Sequence, residues 1–421
     1  MRALKNLIFV LALSLLVFSC GAPEEVEAGK ATKELMTLLE KDPALKAMLE
    51  SSLEKAKAIN PDPNTNPAQS LEEYYRFVTW METTMPWAII EKEEYPEIFD
   101  NIFQGFCAFY FLIDQPLPEL EGKGLVNNSL QYYGPFSAWL TSFSKTWGDY
   151  LDTEASWNEE YYHMALNDPN FGLQNGWYED PSNWKTFNQF FARYLKSPDQ
   201  RPIASPEVDS VVVSFADSEP QGVWAIDSLS NIESKAGVPV KSATLRSVSE
   251  LIGEGSAYQN AFANGTLTHS FLNVNDYHRY HFPIGGKILE SRIIKGINPT
   301  GGELWWDADQ KRYAFNPTAK TGWQSVETRG CVILETENYG LVALLPIGMA
   351  VVSSVNFEAN ITPGTLVQKG DMLGHFAFGG SDFVMIFQEN VRFELQAPMN
   401  EDSTYYKHML MGEHLGAVTL K

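Results

Sequence analysis

The sequence predicts an α+β protein in which a helical N-terminal part precedes a β-rich C-terminal part. Three observations predict it. Aromatic and aliphatic residues recur at helical spacing from Ser70 to about Phe191. After Arg201 the pattern changes to short β-type runs punctuated by glycine and proline. Few of those runs are separated by a helical stretch, which argues against a doubly wound parallel sheet. A chain of 421 residues, 44% hydrophobic and 13% aromatic, has enough apolar material for a large core.

The first 20 residues are expected to lie outside the fold. Arg2 and Lys5 form a basic start, and Leu7 to Phe18 is an apolar run too short for an ordinary membrane span. Val17-Phe18-Ser19-Cys20 resembles a bacterial lipobox, so Cys20 is expected to be the lipid-modified N-terminus of an envelope lipoprotein, facing the periplasm or the cell surface. An ordinary secretory signal with an incidental cysteine is the competing reading. Residues 21–69 read as a helical spacer or lid followed by the linker Pro61 to Pro67. Residues 70–192 read as a helical domain through Leu71 to Ala88, Glu91 to Leu112 and Leu130 to Leu151, with aromatics that look like plain core. Residues 193–421 form the β-rich domain, with strands expected at Val211 to Phe215, Lys287 to Ile294, Cys331 to Glu335, Val342 to Pro346, Val351 to Val355, Leu373 to Phe378 and Phe383 to Phe387.

Charge narrows the partners. The formal net charge of −22 removes the basic footprint that nucleic acid binding needs, and it repels anionic bilayers. Three cysteines exclude a disulfide framework, and a Cys107–Cys331 pair stays open. No His-Glu-x-x-His or Cys-x-x-Cys occurs, so a metal is not expected.

The stretch most open to chemistry is Phe378-Gly379-Gly380-Ser381-Asp382. Glycine leaves the Gly380 carbonyl unshielded beside a hydroxyl, although a glycine hairpin with a serine in it reads the same way. A second segment is Asp276-Tyr277-His278-Arg279-Tyr280-His281-Phe282-Pro283. Its two imidazoles stand three apart, a spacing open to metal ligation, structural hydrogen bonding or catalysis.

Together with Trp184 to Arg193, Arg201-Pro202-Ile203, Gly370 and Gly374, these two segments resemble the phosphatidylserine decarboxylase family. The resemblance covers roughly Trp184 to Phe387. The helical part before it is similar to the extra domain of a subgroup that includes soluble tryptophan decarboxylases. The resemblance implies a chain that cuts itself between Gly380 and Ser381, converting Ser381 into a covalent pyruvoyl cofactor. It implies His281 as the base, His278 as manager of the proton at the reacting carbon, and an aspartate behind the base. Ala204-Ser205-Pro206-Glu207-Val208-Asp209-Ser210 is similar to the family's Ser-Pro-Ala-Asp-Gly, which makes Asp209 the carry-over, with Glu207 and Asp217 as rivals. Asp382 departs from the family's Thr or Ser, and its carboxylate is expected to attract the His281 proton.

The implied reaction is decarboxylation of phosphatidylserine at a membrane reached through Cys20. The alternatives are a free, aromatic amino acid as substrate, or a non-catalytic binding lipoprotein. The two cleaved chains are expected to stay associated, with a homodimer among the open arrangements.

Overall fold

The computed structural model describes residues 27–88, 102–232, 247–316, 323–350, 354–379 and 381–421. The expected signal segment with Cys20, the start of the helix expected from Glu91, Val351 to Ser353 and Gly380 lie outside the described residues. The architecture is α+β, with longer helices in the N-terminal part and antiparallel sheets in the C-terminal part.

The helices begin earlier than the expected domain boundary. Pro43–Ile59 opens with proline in its first turn, and the Asp42 side chain accepts from Leu45 N at 3.0 Å. Leu71–Met81 is capped by Ser70, which accepts from Glu73 N at 3.2 Å. The segment expected as a spacer is part of this layer. Lys30–Lys41 and Pro43–Ile59 bury Leu35, Leu39, Leu45, Leu49 and Leu53, and Trp139 Nε1 donates to Ala31 O at 2.9 Å. Gly134–Leu151 carries Phe136, Leu140, Phe143, Trp147 and Leu151 on one buried face.

The C-terminal part is built on a seven-stranded antiparallel sheet. Its order is Leu366–Val367, Gly286–Ile294, Thr328–Glu335, Leu341–Gly348, Ser381–Phe387, Thr266–Leu272, Glu219–Ala225. All seven residues of Ser381–Phe387 are buried, as a continuous apolar run covered on both faces requires. Side chains alternate along it. Phe383 stacks on Phe215 with ring centroids 3.8 Å apart, so Ser381 faces that layer and Asp382 the opposite one. A three-stranded sheet of Val355–Phe357, Met372–Phe376 and Arg279–His281 lies on the Ser381 side, through contact of Tyr280 with Phe383 at 5.9 Å. Cys107 and Cys331 are buried free thiols, so they do not pair.

Candidate active site

Ser381 is the first residue of the central strand, in register with Leu272 on one side and Gly348 on the other. It is fully buried, and its hydroxyl has no hydrogen-bond partner among the described residues. A buried hydroxyl normally finds a partner, because leaving one unmade costs about 1–3 kcal/mol.

The segment before it is held by the helical layer. Phe378 sits in a socket of Trp147, Phe187 and Phe191, with ring centroids 5.4, 5.2 and 5.4 Å away and near-perpendicular planes. Phe378 N donates to Asn188 Oδ1 at 3.1 Å, while Asn188 Nδ2 donates to Asp152 Oδ1 at 2.8 Å. Aromatics read from sequence as plain core thus grip the residue two positions before Gly380.

Leu272 ends the neighbouring strand, and the turn Asn273 to Asp276 leads into the two histidines. Asp276 fixes that turn by accepting from Asn273 N and His408 Nε2, both at 2.8 Å. His278 is fully buried and its ring centroid lies 3.8 Å from that of Phe191, which also contacts Phe378 at 5.4 Å. Its Nδ1 donates to Asp276 O at 2.9 Å, which leaves Nε2 with a lone pair and no hydrogen-bond partner among the described residues. Burial and then the Arg193 charge hold His278 neutral, well below the usual imidazole range.

His281 sits further along, in register with Met372. Its Nδ1 donates to Gly370 O at 2.9 Å, and its Nε2 accepts from the Tyr277 hydroxyl at 3.2 Å. Gly370 can present that carbonyl because its φ is +90°, a conformation that suits glycine. Burial lowers His281 to about 4, against the opposing pull of the Gly370 carbonyl and Asp217. The ring is neutral, with its lone pair on Nε2. It does not touch Ser381: both of its nitrogens are already engaged.

Asp209 does not stand behind His281. It is on an exposed turn, where Asn338 Nδ2 donates to it at 3.0 Å. Glu207 is exposed on the same turn. The acid near His281 is Asp217, 3% exposed, receiving Arg201 Nε at 2.9 Å and Arg201 Nη2 at 2.6 Å. The backbone beside it is tied in as well, since His281 N donates to Phe215 O at 2.7 Å. A sequence signal for Asp217 exists: Ser214-Phe215-Ala216-Asp217-Ser218 keeps the serine, alanine and aspartate of Ser-Pro-Ala-Asp-Gly at their spacing. Tyr277 and Gly370, which hold the His281 ring, carry no sequence signal for that role. Asp382 is also away from His281. It points to the other face of the sheet, where His269 Nε2 is 2.7 Å from its Oδ2.

A cavity of about 950 Å³ opens between helix Gly134–Leu151 and the three-stranded sheet. Asn188, Arg279, Lys295, Asn356, His375 and Ala377 contribute to its mixed polar and apolar wall, which adjoins the Phe378 segment. A volume of this order holds a small polar molecule.

A family model described as phosphatidylserine decarboxylase matches residues 187–417, more than half of the chain. The chain is 31% identical over 247 residues to phosphatidylserine decarboxylase proenzyme 2 of Oryza sativa subsp. japonica, covering 57% of this chain and 36% of that protein. It is 31% identical over 237 residues to phosphatidylserine decarboxylase proenzyme 3 of Schizosaccharomyces pombe, covering 55% of this chain and 22% of that protein. With a phosphatidylserine decarboxylase proenzyme of Clostridium botulinum it shares 30% identity over 280 residues, 65% of this chain and 84% of the relative. The chain therefore spans about a third or less of the two longer relatives and most of the bacterial one. The matched region holds Ser381, both histidines and Asp217, and on that ground the chain belongs to the phosphatidylserine decarboxylase family.

Proposed function

We propose that this chain cuts itself between Gly380 and Ser381 and then works as a pyruvoyl-dependent carboxy-lyase on phosphatidylserine. The observation that carries the reading is the fully buried Ser381 hydroxyl at the head of the central strand, without a hydrogen-bond partner among the described residues. The relatives' names as proenzymes agree with it.

In the proposed cut, Ser381 Oγ attacks the Gly380 carbonyl carbon and the C–N bond breaks, leaving an ester. Loss of the Ser381 Cα proton breaks the C–O bond and releases the Gly380 carboxylate. Water then converts the dehydroalanine left at 381 to a pyruvoyl group and ammonia. That group supplies a carbonyl to receive the electrons left behind as carbon dioxide departs.

His281 is the stronger base of the two histidines, because Asp217 opposes the effect of burial there, whereas Arg193 adds to it at His278. His281 also already accepts a hydroxyl hydrogen at Nε2, so the Ser381 hydroxyl would take the place of Tyr277's. The weaker base His278, with Nε2 free, suits the later handling of a proton at the substrate carbon.

The cavity would receive the serine head group at its charged and amide side chains, with acyl chains left outside. Those same groups make a free amino acid the second reading. Among the described residues no helix is long and apolar enough to cross a membrane. In this reading the lipobox-like segment before Cys20 supplies a lipid anchor in the bacterial envelope.

Intact mass under denaturing conditions tests the reading. The wild type should yield a fragment of residues 381–421, 41 residues long, and Ser381→Ala should not. A wild type that stays whole would overturn self-processing and support the binding lipoprotein. Product analysis with phosphatidylserine vesicles, free serine and free tryptophan decides the substrate, and turnover of a free amino acid alone would overturn the lipid assignment.

A further inference from the structure

We propose that Asp382, paired with His269 on the far face of the sheet, is the positioning residue that anchors residue 381 once the chain has been cut. The inference rests on the self-cleavage reading above.

The cut turns residue 381 from an interior residue into a chain end. Strand ends fray, and at this end only the ladder to Leu272 and Gly348 holds the backbone. A reacting group must be held to within a fraction of an ångström to be useful. The side chain of residue 381 is consumed in making the pyruvoyl group and is no anchor. The next side chain along is the first one available, and alternation points it away from the reaction.

That side chain is Asp382, which is fully buried. His269 belongs to the adjacent strand and is in register with Val384, so it shares a face with Asp382. Its Nε2 lies 2.7 Å from Asp382 Oδ2, at an ion-pair distance with 5% and 0% of the two side chains exposed. Gln324, in the segment before the strand Thr328–Glu335, lies near enough to favour the Asp382 carboxylate. Separating so buried a close polar pair would leave both groups unsatisfied in the interior, so the pair resists fraying.

Glu327 sits near this pair, fully buried, with neither carboxyl oxygen hydrogen-bonded among the described residues. Burial, and then the Asp382 charge, keep it protonated. It is not itself part of the anchor.

The test uses the full chain and the variants Asp382→Ala, Asp382→Asn, His269→Gln and Glu327→Gln. Three readouts are fragment formation, peptide-resolved hydrogen exchange over Ser381–Phe387, and kcat and KM on phosphatidylserine vesicles. Asp382→Ala and His269→Gln should still release the 41-residue fragment. Exchange at the first residues of the strand should rise about tenfold or more, and kcat should fall about tenfold with KM within about twofold. Asp382→Asn keeps an oxygen acceptor and should recover to within about threefold of wild type, and Glu327→Gln should exchange like wild type.

Wild-type exchange and kcat in Asp382→Ala would overturn the anchor alone. So would a uniform rise in exchange over the whole domain that Asp382→Asn fails to correct. A wild type that never forms the fragment would overturn both the anchor and the self-cleavage reading.

Discussion

Replacing Asp217 by asparagine separates it sharply from Asp209. Arg201 is 1% exposed and gives two charge-assisted hydrogen bonds to Asp217, whose Oδ1 also accepts from Met411 N at 2.8 Å. Asp217→Asn preserves shape and one acceptor but removes the guanidinium's counter-charge, leaving it the Gln200 carbonyl 2.9 Å from Nη1 and the Trp177 ring 4.3 Å away. Removing one partner of a buried pair costs about 3–5 kcal/mol, and the retained acceptor argues for about 3. Spread over an unfolding entropy of about 2.1 cal/mol/K per residue for a domain of about 230 residues, this is a fall in Tm of about 6 °C.

The same change removes the larger of the two anionic influences on His281, Asp217 ahead of Asp371, so fragment release should slow by about tenfold or more. Asp209 is exposed with one side-chain hydrogen bond, so Asp209→Asn should stay within about 0.5 kcal/mol of wild type and mature normally. The assays are a thermal melt and a time course of fragment release on a denaturing gel. An Arg201→Met, Asp217→Leu double variant completes the set, because an apolar pair should restore stability without restoring maturation. Stalled release in Asp209→Asn together with normal release in Asp217→Asn would refute this assignment.

The remaining predictions concern the histidine, its turn, the aromatic socket and the thiols. His281 titrates at about 4 in the fold and near 6.5 unfolded, so between those values the unfolded chain binds more protons and stability falls as pH falls. Urea midpoints at pH 7 and pH 5 should show a loss of about 2 kcal/mol that is missing in His281→Gln, and fragment release should hold its rate until pH approaches 4. Gly370→Ala places a Cβ 2.6 Å from Ile203 Cδ1 at φ +90°, and should cost about 1–3 kcal/mol by denaturant melt, with partial rescue by Ile203→Ala. Phe378→Ala empties the socket of Trp147, Phe187 and Phe191, and should cost about 3–5 kcal/mol while slowing fragment release. Cys107 and Cys331 are buried, with burial pushing the Cys331 thiol up to about 12, so mapped alkylation should label both only after unfolding.

What the sequence determined on its own are the features that neighbours along the chain impose. The apolar run Phe383 to Phe387 declares a buried strand, and the spacing of Phe136, Leu140, Phe143 and Trp147 declares a helix, because side-chain direction repeats every two or 3.6 residues. The paired glycines before Ser381 and the two histidines in one short frame were legible for the same reason: each is a local pattern. Tertiary structure decided which acid stands near His281, because Ser205-Pro206-Glu207-Val208-Asp209 and Ser214-Phe215-Ala216-Asp217 each keep part of one pattern, and burial with Arg201 singles out Asp217. It also decided that residues 30–59 join the helical core, and that Asp382 pairs with His269 on the far face of the sheet. The His281 ring is held by Tyr277, four residues away, and by Gly370, 89 residues away. Contacts of that range are set by how the sheets stack, which no local period encodes.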